Sequence, residues 1–152
     1  MSQLQHARSF RDLIVHQKAR VVAKRIFEAT KSFPREEMYS LTDQVRRSSR
    51  SVGAQIAEAW SKRRYEKHFV SKLTDADGEQ QETQHWIDTA ADCGYLTADD
   101  VGSLNRDLAE IGRMLNSMME KADSFCGEAP LVVRESSVEY FVNGECQREV
   151  IE

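Results

Sequence analysis

The sequence predicts an all-α protein: an antiparallel up-down four-helix bundle over residues 1–122, with a tail at 123–152 that forms either a short β-hairpin or a disordered acidic segment. Three observations carry this. Apolar residues recur at spacings of three and four in four successive segments of about 20 to 28 residues. Only two prolines and seven glycines interrupt 152 residues. The connections between the segments are short, which favours antiparallel neighbours.

The first segment runs from about Ser9 to Ser32, with Val15, Ala19, Val22, Ile26, Ala29 and Phe33 on one stripe and Phe10, Ile14 and Val21 widening it. Pro34 ends it, because proline lacks the amide donor and disfavours helix in the residue before it. Glu36 and Glu37 suit the positive start of the second helix, whose stripe is Leu41, Val45, Ser48, Val52, Ile56 and Ala59. Small residues beside that stripe (Ser49, Gly53, Ala54, Ala57) predict close approach of another helix. The third segment, about Tyr65 to Cys93, keeps the spacing through Phe69, Leu73, Ala76, Gln80, Thr83, Ile87 and Ala90, but its centre is polar. Gly94 is placed as a C-terminal cap, and Thr97-Ala-Asp-Asp100 resembles a capping box. Leu104, Leu108, Ile111, Leu115, Met118 and Ala122 form the fourth seam. Beyond Asp123, Leu131-Val-Val and Val138-Glu-Tyr-Phe-Val are β-prone, and Asn143-Gly144 signals a tight turn.

Charge divides the chain. Residues 1–64 hold fourteen Lys/Arg against six Asp/Glu, and residues 65–152 hold seven against nineteen. A basic half points to an anionic partner, or to like subunits meeting through opposite faces. No apolar run approaches the roughly 18 residues of a membrane span, and the N-terminal residues lack a secretory signal's apolar stretch. Cys93, Cys126 and Cys146 are odd in number and widely spaced, which reads as reduced thiols in a cytoplasmic protein.

Three blocks stand in order: Phe10-Arg-Asp-Leu-Ile-Val, then Phe33-Pro-Arg-Glu-Glu-Met-Tyr-Ser-Leu-Thr-Asp-Gln-Val-Arg-Arg-Ser, then Ser51-Val-Gly-Ala-Gln-Ile-Ala-Glu-Ala. Glu79, Glu82-Thr83, Gly94-Tyr-Leu and Ile111-Gly-Arg-Met-Leu-Asn complete the pattern. It resembles the four-helix-bundle family encoded in intervening sequences of bacterial 23S rRNA genes, which includes the accessory variability protein of diversity-generating retroelements. The resemblance covers about four fifths of the chain. It implies a homopentamer with basic surfaces, nucleic-acid binding in the retroelement branch, and no enzymatic activity. The family often has proline where Gly53 stands, glycine where Ala59 stands, and a more leucine-rich third helix.

The candidate nucleic-acid-binding residues are Lys18, Arg20, Lys24 and Arg25 on the first helix, Arg46 and Arg50 on the second, and Lys62, Arg63 and Arg64 at its end. Arg46, Arg47 and Arg50 stand three and four apart, so like charges crowd one face at a cost of a few tenths of a kcal/mol per pair. Phosphates or carboxylates would offset that, and arginine's fork suits both. The competing reading is an internal or intersubunit salt-bridge network with Glu58, Glu79 and Glu82, in which the family motif suggests a structural role for Arg47. Trp60, Tyr65 and Phe69 could stack on unpaired bases, although aromatics at this spacing more often lie in a core or interface. Glu82-Thr-Gln-His85 has the E-x-x-H spacing of bundle di-iron sites, but no second motif accompanies it. No catalytic set, cofactor motif or metal site is expected.

The leading expectation is a non-catalytic oligomeric scaffold that binds nucleic acid, RNA ahead of DNA, through phosphates. The alternative is an assembly module whose charged faces join subunits or dock a protein such as a reverse transcriptase. No membrane contact is expected.

Overall fold

The computed structural model describes residues 7–126 and the paired strands Ser137–Val142 and Glu145–Val150. Its body is an all-α bundle of four long helices: α1 (Ile14–Thr30), α2 (Asp43–Ser61), α3 (Glu66–Asp92) and α4 (Ala98–Glu120), followed by a single turn, α5 (Ala122–Phe125). α2 packs against α1 and α3, and α4 closes the ring by touching α3 and α1. The two strands, β1 and β2, pair antiparallel with Ser137 opposite Val150 and Val142 opposite Glu145. They match the hairpin alternative for the tail; Asn143 and Gly144 lie outside the described residues.

The predicted stripes form the core. Val15, Val22 and Ile26 of α1 meet Val45, Val52 and Ile56 of α2, Phe69, Leu73 and Ile87 of α3, and Leu104, Leu108, Ile111 and Leu115 of α4, all buried. Each such side chain contributes about 1.5–3 kcal/mol relative to exposure. Phe69 stacks on Phe125 with ring centroids 5.3 Å apart, so α5 seals one end of the bundle.

Several boundaries differ from the sequence reading for local reasons. Ser9 caps a 3₁₀ turn, Phe10–Asp12, rather than α1: its hydroxyl accepts from the Arg11 N–H at 3.2 Å, and the Asp12 carboxylate accepts from the Arg8 N–H at 2.7 Å. Extended Leu13 then resets the chain, and α1 begins at Ile14. α1 packs chiefly on α2 and α4, so its buried stripe is narrow. Val21, expected to widen it, is 58% exposed. After Pro34 the chain makes a 3₁₀ turn (Arg35–Glu37) and a π turn (Met38–Thr42) before α2 proper. The wide π turn lets consecutive Leu41 and Thr42 both face inward.

Other expectations hold. α2 runs unbroken through Gly53, and a Cβ there would lie 3.7 Å from His16 Nε2 and 4.0 Å from the Ala19 Cβ, so α1 and α2 approach closely at that point. Gly94 adopts φ +76° after α3. Its N–H donates to the Ala91 carbonyl and the Tyr95 N–H to the Ala90 carbonyl, both at 2.9 Å, the paired bonds of a Schellman cap. The Thr97 hydroxyl accepts from the Asp100 N–H at 3.2 Å and starts α4, one of the two bonds of the expected capping box. The polar centre of α3 is a hydrogen-bonded layer: buried Thr83 donates to the Ser48 hydroxyl at 2.9 Å, and buried Gln80 donates to Asp77 at 3.0 Å.

Candidate nucleic-acid interface

The first-helix cations leave α1 on two flanks. Lys18 and Arg25 face α4. Lys18 pairs with Glu110 at 3.3 Å, while Arg25 pairs with Asp107 and donates to the Ser103 hydroxyl at 2.8 Å. These two therefore lock α1 to α4, because α4 presents carboxylates at the matching turns. They are not part of one open basic set with the others. Arg20 and Lys24, on the flank toward α2, are exposed and make no ion pair among the described residues.

That second flank continues through Phe27 and Lys31, and there α2 adds two arginines. Three cations converge on the Phe27 ring. The Arg46 guanidinium lies 4.8 Å from its centroid, the Lys31 ammonium 4.9 Å and the Arg50 guanidinium 5.4 Å. Half-buried Arg46 is further fixed by donating from Nε to the Thr30 hydroxyl at 2.8 Å. Lys31 pairs with Glu28 at 3.0 Å, whereas exposed Arg50 makes no ion pair among the described residues. The ring's negative face attracts each cation by about 0.5–1 kcal/mol at an exposed site. The three charges also repel one another, since they lie within roughly a Debye length at ordinary salt. A phosphate at this point would relieve the repulsion and accept the arginine N–H groups.

Arg47 stands apart from this cluster. Within the chain it is not in a network with Glu58, Glu79 and Glu82; its side chain is 76% exposed and, among the described residues, pairs with Asp43 on its own helix, at 3.7 Å. Glu58 instead binds Lys72 at 2.9 Å, and that hydrogen bond lowers its pKa. Burial first, then the neighbouring Glu82, raises the pKa of Glu79.

The Lys62-Arg63-Arg64 run caps the far end of α2. At 1.5 Å per residue it begins about 18 Å beyond Arg50, so it does not merge with the Phe27 cluster. Arg63 lies 3.5 Å above the Trp60 ring and donates to the Trp60 carbonyl at 2.9 Å. Arg64 is exposed, 5.7 Å from the Tyr65 ring centroid. Of the three aromatics considered for base stacking, Phe69 is core, Trp60 is half-buried under Arg63, and Tyr65 is 57% exposed.

Phe27 and Lys31 were absent from the candidate set. Their signal was present: Lys24, Phe27 and Lys31 fall at i, i+3 and i+7, and Phe27 is an aromatic outside the apolar stripe with cations on either side. Glu82 and His85 do not assemble a metal site, and no group of three or more His, Cys, Asp or Glu suited to a metal occurs among the described residues. A small cavity beneath Phe33, lined by Ile26, Thr30, Val45, Ile87 and Leu104 among others, contains no titratable side chain. No helix among the described residues is long and apolar enough to cross a membrane.

A model of the 23S rRNA-intervening sequence proteins matches residues 11–117, which hold all four long helices except the last turn of α4. The chain belongs to that family. Among solved structures, a crystal structure from Bacteroides thetaiotaomicron VPI-5482 is similar. It is described as a protein of unknown function from the S23 ribosomal protein family. It shares 28% identity with a TM-score of 0.62, covering 70% of this chain and 99% of that one. No significant match to a curated protein is found. Both likenesses agree with the bundle inferred from the helix stripes.

Proposed function

We propose that this member of the 23S rRNA-intervening sequence family is a non-catalytic scaffold that binds nucleic acid through phosphate contacts on the open flank shared by α1 and α2. The observation that carries the reading is the convergence of Lys31, Arg46 and Arg50 on Phe27, continued along α1 by Arg20 and Lys24. The family's origin in rRNA intervening sequences makes RNA the first ligand to test, ahead of DNA. Self-association, as a homopentamer in the family resemblance, would repeat the flank around a ring and multiply weak contacts. The flank offers charge and no base-reading element, so binding depends little on sequence.

The experiment is a salt titration of RNA binding by the full chain. Engagement of the five cations gives a slope of about −3.5 to −4.5 in log affinity against log salt, and Arg46→Ala/Arg50→Ala flattens it by roughly 1.5. Affinity independent of salt, or unchanged in the double variant, overturns the reading.

A second reading is favoured by the acidic face of α3. Burial first, and then the adjacent Glu82, raises the Glu79 pKa, and neither carboxylate has a cation partner among the described residues. In an assembly module, the basic flank of a second copy, or of a docked protein such as a reverse transcriptase, would neutralise them. Protein that forms rings but ignores RNA at low salt selects this alternative.

A further inference from the structure

We propose that the α2–α3 turn holds a second contact of different chemistry: a platform at Tyr65 on which an unpaired nucleobase stacks. The proposal rests on the nucleic-acid reading above and extends it to single-stranded RNA.

Tyr65 is an exposed aromatic on a rigid mount. Its N–H donates to the Lys62 carbonyl at 3.1 Å, and its own carbonyl accepts from the His68 and Phe69 N–H groups at 3.1 and 3.0 Å. Phe69, one turn on, is buried against Phe125, so the start of α3 is anchored in the core. Tyr65 as a residue nonetheless stays 57% exposed. The His68 ring is inclined at 58° with centroids 5.4 Å apart, and the exposed Arg64 guanidinium stands 5.7 Å from the Tyr65 centroid. An exposed aromatic with a guanidinium standing over its ring fits a base together with its own phosphate.

The contrast with the other aromatics assigns the role. Phe27 is crowded by three cations and therefore reads charge. Trp60 lies directly under Arg63. A duplex keeps its bases stacked on one another, so the Tyr65 face serves only an unpaired segment. From Arg46 to Lys62 is about 24 Å along α2, which a stacked strand of roughly seven nucleotides would span.

The test uses the full chain and three probes of about twelve nucleotides: a single-stranded RNA, the same sequence as a duplex, and an abasic strand of equal charge. Tyr65→Ala is expected to weaken single-strand binding about fivefold or more, the low end of a stacked base's contribution, while leaving the duplex and abasic strand unchanged. Tyr65→Trp retains the affinity, and 2-aminopurine fluorescence in the strand is quenched by wild type but not by Tyr65→Ala. Equal binding of base-bearing and abasic strands, or a Tyr65→Ala protein that binds all three as wild type does, overturns the platform and leaves the phosphate reading intact. Absence of any RNA binding at low salt removes the phosphate reading, and the platform with it.

Discussion

Arg46 is held by Thr30: its Nε donates to the Thr30 hydroxyl at 2.8 Å, and the guanidinium rests 4.8 Å from the Phe27 centroid. Thr30 itself is buried at the end of α1, within 2.8 Å of the Ile26 carbonyl and 3.0 Å of the Phe27 carbonyl. The arginine is thus oriented by core-anchored groups, while the exposed Arg50 and the Glu28-paired Lys31 crowd the same ring. Holding three cations together with one local carboxylate costs folding free energy and favours an anionic ligand. Stability and binding should therefore respond in opposite directions to one substitution.

Arg50→Glu tests that opposition. The new carboxylate pairs with Arg46 or Lys31, and it should raise folding stability by about 0.5 kcal/mol, the scale of an exposed pair. The same change replaces a phosphate contact with a repulsion, so RNA affinity should fall about tenfold or more at low salt. Urea unfolding and an RNA shift assay on one preparation read both. A variant that loses stability as well as affinity would show that Arg50 has a structural role instead.

The four stripes were legible because burial by neighbouring helices enforces a period near 3.6, and Val15 through Ile26 or Leu104 through Leu115 obey it without interruption. Gly94 and Thr97 were legible because cap chemistry is local. The turn between Pro34 and Asp43 was not, since a π turn adds a residue that no spacing rule marks. The site was half-legible. Charge counts found the basic half, but pairing of Lys18 and Arg25 depends on where α4 places Glu110 and Asp107, some eighty residues or more away. Phe27 was overlooked because it stands beside the stripe used to read α1. Its role appears only when α2 brings Arg46 and Arg50 against it.

The polar layer between α2 and α3 yields a second prediction. Thr83→Val removes the hydroxyl that meets the Ser48 hydroxyl at 2.9 Å and the Glu79 carbonyl at 2.8 Å, in a site where Thr83 and Ser48 are both buried. The loss should be about 1–2 kcal/mol. Adding Ser48→Ala should recover part of it, since removing both partners of a buried hydrogen bond costs less than removing one. A double-mutant cycle by urea unfolding checks this; strictly additive losses would mean that the bond contributes nothing.

Glycines inside the helices separate backbone from packing effects. Gly78 in α3 and Gly102 in α4 have open space where a Cβ would stand, so alanine at each should stabilise by about 0.5–1 kcal/mol. Gly112 differs, because a Cβ there would come within 2.7 Å of the buried Gln80 Nε2, which is already hydrogen-bonded to Asp77. Gly112→Ala should displace that amide and lose the propensity gain. Thermal unfolding of the three variants orders them, and a Gly112→Ala as stable as the other two would show that Gln80 moves aside freely.

His16 sets a pH dependence whose sign follows from its position. The ring is buried where α1 approaches Gly53, edge-on to Phe10 with centroids 4.9 Å apart, and its Nδ1 has no hydrogen-bond partner among the described residues. Burial foremost, then the charges of Arg20 and Arg11, lowers its pKa below the ordinary value near 6.5. The unfolded chain therefore binds the proton more readily than the folded one, and stability rises with pH over this interval. The contribution is complete above about pH 6.5 and is lost as pH falls from there through the lowered folded value. Glu79 has a raised pKa, and its effect runs the other way: its neutral form is favoured in the fold, so that contribution is present below the ordinary carboxylate range and lost as pH rises through the folded value. Urea unfolding at pH 8 and pH 5.5 should show wild type losing stability on acidification, and His16→Gln, which cannot titrate, losing less. Equal losses in the two proteins would place the acid sensitivity elsewhere and show that His16 takes up its proton without disturbing the α1–α2 contact.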